Sequence, residues 1–414
     1  MTTLLLIALW TGLFACTVAL AMTIANLRFY AKPIDEPLDP ASAPSLTVCV
    51  PARNEEANLE PCVRALLASN YPRLEVLVYD DASTDATPEI LAKLCTEDAR
   101  VRAAETVPLP DGWNGKQHAC DRMGRQASGE WLLFTDADVR FEPACLERAI
   151  AEALRPRPTD TPGSKPVALV STFPRQITGT LGEALVVPMI FFILLSYLPL
   201  ARMRSTTDPG ASAGCGQFLC VLKTAWLEAG GHAAFRDSMH DGIKLPRNLR
   251  RLGYRTDLFD ATDLCACRMY HGFTATWRGF AKNAFEGLGS VGLLTFITVM
   301  HLCGHVLPWV VLPIALLGLA GIIPALPTLA LVLSALCVAG ALVQRAMLAA
   351  RFKQSPVSVA LHPVGVALMT LIQWHSLYLA KTGKRTWRGR TQGATHAPQT
   401  NPNPNPGPDA SPSA

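Results

Sequence analysis

The run from Leu4 to Ala25 carries no charged residue and is almost wholly apolar. A stretch of that length can cross about 30 Å of hydrocarbon as a helix, which satisfies every backbone polar group internally. It reads as an N-terminal transmembrane anchor, residues 1–30. A signal peptide is the competing reading, but such a peptide opens with positive charge, and no Lys or Arg precedes this run. Arg28 and Lys32 follow it instead. The positive-inside rule then puts the N-terminus outside and the next domain in the cytosol.

A second apolar excess fills residues 290–382, read as C-terminal transmembrane helices. Val291–Ala320, Ala325–Val343 and Val357–Ala380 are the candidate spans, with Pro308 and Pro313 placed to kink or split the first. Basic residues occur both at Arg345, Arg351 and Lys353 and at Lys381, Lys384, Arg385, Arg388 and Arg390. Three crossings would put one of these clusters outside, so charge alone leaves the crossing number open. Residues 383–414 are basic and then Pro-rich, ending NPNPNPGPDASPSA, a composition expected to be disordered. One more apolar stretch, Leu181–Ala201, lies mid-chain. A single crossing there would split the soluble domain between compartments. Two readings stand: a segment lying in the membrane interface, or a buried core helix.

Residues 44–289 alternate strand and helix. Ser45–Val50, Leu74–Tyr79, Val101–Glu105 and Trp131–Thr135 are strand candidates, and Glu55–Ser69, Pro88–Leu94 and Lys116–Gln126 helix candidates. That order predicts an α/β domain with a mostly parallel, Rossmann-like sheet covered on both faces. Ligands of such sheets bind beyond the carboxyl ends of strands, where Pro51–Glu55, Asp80–Asp85 and Asp136–Asp138 fall. The charge balance of +4, with no basic stripe interleaved with aromatics, gives no case for nucleic acid. The 12 cysteines are scattered, with a C-x-C at Cys265 and Cys267 but no C-x-x-C, which disfavours a zinc ribbon and suits a reducing compartment.

Each polar loop permits chemistry. Asp136-Ala-Asp138 follows a buried strand, and alternate carboxylates can hold a hard cation such as Mg²⁺ or Mn²⁺ that also takes phosphate oxygens. Asp80 and Asp81 can accept from a base or ribose, or form an Asx-turn. Arg53, before a helix start, and Lys116, in GWNGKQ, are candidate phosphate cations, with a surface ion pair the alternative for Arg53. Asp241 opens a helix in HDGIKLPRNLRRLGY and is either a cap or a general base. Gly214-Cys-Gly216-Gln217 is a Gly-rich turn beside a proposed acceptor. His301 and His305 have i, i+4 spacing but lie in an apolar span, where interhelical hydrogen bonding is expected.

Together, VPARNEEANLEPCVRALLASNYP, VLVYDDASTDAT, LPDGWNGKQHA, GEWLLFTDADVRF and GCGQF…HDGIKLPRNLRRLGY resemble the family-two glycosyltransferases of the GT-A fold, over roughly Ser45–Gly289. The DGWNGK loop, the GCGQ segment, the closing apolar helices and the TWRGR tail look like the carotenoid and hopanoid branch. The resemblance implies a multi-pass protein of the bacterial inner membrane, its catalytic domain cytosolic. It implies inverting, metal-dependent transfer from a nucleotide-sugar, usually a UDP-sugar, to a polyisoprenoid-type lipid. Asp241 is then the catalytic base and Asp138 the metal ligand. Pro51, Ala52, Arg53, Glu55, Asp80, Lys116 and Asp136 lie on the donor side, and Gly214, Gly216, Gln217 and His240 on the acceptor side. Two departures stand out: His240 replaces an acid often found before the base, and the Q-x-x-R-W motif of processive synthases is absent, leaving only Trp277-Arg278. A processive polysaccharide synthase is therefore the disfavoured alternative. A membrane scaffold or transporter with an inactive transferase-like domain is the alternative from another class.

Overall fold

The computed structural model describes residues 2–157, 163–384, 386–387 and 390–391. The Pro-rich end from Thr400 and residues 388–389 of the TWRGR segment lie outside the described residues.

Ten strands precede the C-terminal helices: β1 (Leu46–Ala52), β2 (Leu74–Asp80), β3 (Val101–Ala103), β4 (Trp131–Phe134), β5 (Val139–Phe141), β6 (Val167–Ser171), β7 (Arg175–Gln176), β8 (Leu219–Leu222), β9 (Arg255–Leu258) and β10 (Cys265–Cys267). Seven form one sheet in the order β3-β2-β1-β4-β8-β6-β9, and β5-β10-β7 form a small second sheet. The first four strands run parallel, as expected; β8 enters antiparallel between β4 and β6. Alternate side chains of β1 feed different layers. Val48 and Val50 join one buried cluster and Cys49 the other, so both faces of the sheet are covered. The expected helices appear at Leu59–Leu67, Thr87–Glu97 and Gly115–Gln126, the last capped by the Asn114 side chain, which accepts from the Lys116 and Gln117 amides.

Three helices among the described residues are long and apolar enough to cross a membrane: Thr2–Phe29, Val291–Leu319 and Thr328–Arg351. The third sequence candidate, Val357–Ala380, is not one of them. It breaks at Leu361 into Pro356–Ala360 and His362–Lys381, and the longer piece turns Met369, Thr370, Ile372 and Gln373 into the protein. The first C-terminal span is bent where expected. Proline clashes with the carbonyl four residues back, and the ladder before Pro308 relaxes into a π-turn at Leu302–Val306. His305 and His362 share a ring-nitrogen hydrogen bond of 3.1 Å, and His301 Nδ1 lies 3.4 Å from Thr370 Oγ1, so these histidines join helices.

Thr2–Phe29 and Thr328–Arg351 run side by side in the same direction. Leu9 clusters with Ala330 and Leu333. Further along, Gln344 Nε2 donates to the Ala19 carbonyl at 3.1 Å and to Thr23 Oγ1 at 2.8 Å. Both helices thus end beside the sheet domain, where Lys32 and Lys353 each lie 2.6 Å from Asp263 and Arg351 lies 2.8 Å from Asp260.

The stretch Leu181–Ala201 corrects one expectation. Pro188 and Pro199 break it into short helices, Leu181–Val186, Met189–Tyr197 and the start of Leu200–Ser205. Phe191 and Phe192 are fully buried, covered by Tyr30, Phe352, Val366 and Met369, and the Phe191 and Phe352 rings stack at 3.9 Å. Protein encloses these side chains, so the buried-core reading describes them and the interfacial one does not. Asn26 fixes the segment by donating to the Leu195 and Leu198 carbonyls at 2.8 and 2.7 Å.

Candidate active site

The carboxyl ends of β1 and β4, the start of helix Gly115–Gln126 and the start of helix Asp241–Arg251 surround one cavity of about 580 Å³. Nine residues singled out in the sequence line it: Pro51, Lys116, Asp136, Asp138, Gly214, Gly216, Gln217, His240 and Asp241. The Lys116 ammonium joins the halves. It lies 2.7 Å from Asp136 Oδ1 and 3.2 Å from Asp241 Oδ2, and donates to the Gly216 carbonyl at 3.2 Å. The ammonium thus faces two carboxylates and one backbone carbonyl.

Burial alone would lower the Lys116 pKa, but Asp136 and Asp241 outweigh it and hold the ammonium charged. For Asp241, burial pushes upward; Lys116, His232 and His240 overcome it and keep the carboxyl below its usual range. Asp138 behaves differently. Burial, and then the neighbouring Asp136, push its carboxyl up to about 7. Its Oδ1 is buried without a hydrogen-bond partner among the described residues. An acidic group so placed is a fit for a cation. No group of three or more His, Cys, Asp or Glu among the described residues is arranged to hold a metal, so further oxygens would have to come from outside the chain.

The remaining predicted donor residues stand behind this wall. Arg53 Nη1 donates to the Asp81 carbonyl and lies 3.7 Å from Asp81 Oδ2, so its guanidinium braces the loops after β1 and β2. Glu55 accepts from Asn58 Nδ2 at 3.0 Å, and its amide donates to Thr87 Oγ1 at 2.8 Å. Asp80 Oδ1 accepts from the Ser83 amide, three residues on, at 3.1 Å, and Ala52 pairs with Asp80 in the sheet register.

Glycine is demanded at two positions here. A Cβ on Gly216 would sit 2.3 Å from Asp241 Oδ1, and one on Gly242 2.3 Å from the Gly214 carbonyl oxygen. The GCGQ turn is thus pressed directly against the Asp241 helix. Sequence reasoning missed Cys267, whose thiol hydrogen-bonds Asp138 and accepts from Gln217 Nε2 at 3.0 Å. The cavity is also lined by Phe173, Ile190, Ile193, Leu194, Leu288 and Met369. Ile190, Ile193 and Leu194 belong to the apolar stretch Leu181–Ala201 and Met369 to the candidate span Val357–Ala380, both singled out in the sequence, whereas no motif marks Phe173 or Leu288.

The comparisons with known proteins converge. The glycosyl transferase family 2 pattern matches residues 47–206. A 4,4'-diaponeurosporenoate glycosyltransferase of Staphylococcus aureus (strain USA300) is 27% identical over 254 residues, covering 59% of this chain and 62% of that protein. The chain therefore matches about three-fifths of the length of its curated relatives. A mannosyltransferase, PcManGT of Pyrobaculum calidifontis, solved in complex with GDP-Man and Mn²⁺, superimposes with a TM-score of 0.55 at 20% identity, covering 91% of this chain and 99% of that one. At that identity the likeness is one of fold. With the sheet order, the clustered carboxylates and the matched segment in agreement, the chain carries a glycosyl transferase family 2 domain and resembles the carotenoid-type branch.

Proposed function

We propose that this chain is an inverting, metal-dependent glycosyltransferase that moves a sugar from a nucleotide-sugar, a UDP-sugar in the first instance, to a hydroxyl of a membrane lipid. One observation carries the reading. A single cavity is lined both by Lys116, Asp136, Asp138 and Asp241 and by an aliphatic and aromatic set that includes Ile190, Ile193, Leu194, Leu288 and Met369. A polar acceptor would find no use for that wall. A hydrocarbon tail would, since each CH₂ removed from water is worth about 0.8 kcal/mol. The Staphylococcus aureus relative, named a 4,4'-diaponeurosporenoate glycosyltransferase, supports an acceptor of this apolar kind.

Asp138, with Asp136 beside it, would hold Mg²⁺ or Mn²⁺, which offsets the charge that develops on a diphosphate leaving group. The chain's own groups do the rest. Asp241, kept ionised by Lys116, accepts the proton of the acceptor hydroxyl. Lys116 holds Asp241 and Asp136 at a common centre and places a positive charge where donor and acceptor meet. One base and no second nucleophilic carboxylate fit inversion. A processive synthase finds no support in the apolar wall, and an inactive scaffold none in the intact carboxylates.

The domain arrangement belongs to the same proposal. Thr2–Phe29, Val291–Leu319 and Thr328–Arg351 cross the inner membrane, and residues 44–289 sit on its cytosolic face with the cavity mouth at the bilayer. The test is to incubate membranes holding the protein with a panel of nucleotide-sugars and to analyse extracted lipids by mass spectrometry. A lipid gaining one sugar is expected. Asp241→Asn should lower the rate by about 10²–10⁴ while nucleotide still binds. Near-wild-type transfer in that variant would reduce Asp241 to a helix cap.

A further inference from the structure

The cavity wall carries a buried amide that the proposed chemistry does not use. Gln373, on helix His362–Lys381, lines the cavity one turn from Met369 and is 3% exposed. Its Oε1 is buried and has no hydrogen-bond partner among the described residues. The same cavity is lined by Ile190, Leu194, Ala284 and Leu288, and by Lys282 and Asn283. Two other buried glutamines use their Nε2 groups, Gln217 donating to Cys267 Sγ and Gln344 bonding three times between helices, although Gln344 Oε1, like Gln373 Oε1, has no partner among the described residues. A buried amide left unsatisfied is costly, and a leucine of similar volume would pack here without that cost. The amide can turn either end toward the cavity, so it can meet a donor or an acceptor.

We infer that Gln373 recognises a second hydrogen-bonding group on the lipid, besides the hydroxyl that is glycosylated. This rests on the lipid-acceptor reading above and narrows it: the substrate class is a lipid polyol or hydroxylated amphiphile, and a simple hydrocarbon alcohol is a poor substitute. Gln373 is then a specificity-determining residue. The aliphatic wall accepts any chain that fits; the amide asks for a hydroxyl at one depth. An alcohol lacking that group leaves the amide unpaired in the complex and forgoes the hydrogen bond.

The test uses the full chain in detergent micelles and two probes, cetyl alcohol and cetyl glyceryl ether, which share a hydrocarbon tail and differ in the added hydroxyl. Apparent affinity is read from the shift in melting temperature, so no knowledge of the sugar is needed. The wild-type protein should bind the glyceryl ether tighter by about tenfold or more. Gln373→Leu and Gln373→Met should each bring the ratio of the two affinities close to one. Equal binding of both probes by the wild type, or an unchanged preference in either folded variant, overturns the role of Gln373 and leaves the lipid-acceptor reading in place. Binding of neither probe removes that reading, and this inference with it.

Discussion

Asp136, Asp138 and Asp241 were legible because each sits where a strand ends or a helix begins, and carboxylates at such ends face a common edge. Their division of labour was not. Lys116 reads in sequence as a phosphate cation, whereas it bridges Asp136 and Asp241 in the fold. Cys267 and Gln373 gave no signal, since each reaches the site from a distant element. Two predictions belong at this scale. Asp138→Ala should abolish the metal dependence of UDP-sugar binding, seen by calorimetry with and without EDTA; equal affinities with an intact cation effect would remove Asp138 as the ligand. Gly216→Ala should displace the Asp241 carboxylate, because the new methyl falls 2.3 Å from its Oδ1. Misplacing a reacting group by about 1 Å can cost about 10² in rate. Turnover should drop by that order with little change in nucleotide affinity, and unchanged turnover would show that the two backbones separate freely.

Among elements, the first half of the domain was readable and the second was not. β1, β2 and β4 are apolar, β-branched or aromatic runs followed by polar loops, so composition and order announce them. β6, β8 and β9 pair with strands far away in sequence, and β8 enters between β4 and β6 against the parallel pattern. Local sequence carries no record of such pairing. Leu181–Ala201 shows a related limit, since apolar length cannot say whether lipid or protein covers a side chain. Glu183 opens that stretch and anchors it. It is fully buried and accepts from the Gly179 amide at 2.7 Å, the Gly272 amide at 2.6 Å, Thr180 Oγ1 at 2.9 Å and Arg268 at 3.2 Å. Burial pushes its carboxyl up, but Arg268 and these donors prevail and bring it down to about 2. An unfolded Glu titrates near 4.3. The stability it contributes is therefore fully present above that value and fades as pH falls toward about 2. Glu183→Gln should destabilise the protein by about 1.5–3 kcal/mol at neutral pH, the worth of one charge-assisted hydrogen bond. In melting curves taken at successive pH values, the gap between variant and wild type should narrow below about pH 4. A gap that does not change with pH would mean the carboxylate charge contributes nothing.

For the whole molecule, charge left the crossing number open because two basic clusters compete for one side. The fold suggests how both fit. Thr2–Phe29 and Thr328–Arg351 are parallel and both finish at the sheet domain, tied there by Lys32, Arg351 and Lys353 to Asp260 and Asp263. Val291–Leu319 leaves the domain and returns through a tight connection, where a Cβ on Gly318 would meet Ala325 Cα at 2.9 Å. If Thr2–Phe29, Val291–Leu319 and Thr328–Arg351 cross as proposed, the Arg345–Lys353 cluster falls on the domain side. Helix His362–Lys381 stays on that side and lines the cavity, so Lys381 and Lys384 stay there too. The arrangement obeys the positive-inside rule without exporting either cluster. It predicts that alkaline phosphatase inserted between Ala320 and Pro327 is active outside the cytosolic membrane, whereas green fluorescent protein fused after Lys384 fluoresces in the cytosol. A phosphatase that stays inactive at the first site, in a protein that still inserts, would mean that Val291–Leu319 and Thr328–Arg351 do not cross as a hairpin. The cavity would then need another route to its lipid. A fusion after Lys384 that is dark in the cytosol would mean instead that His362–Lys381 crosses, which would carry Met369 and Gln373 away from Asp241 and dismantle the proposed acceptor groove.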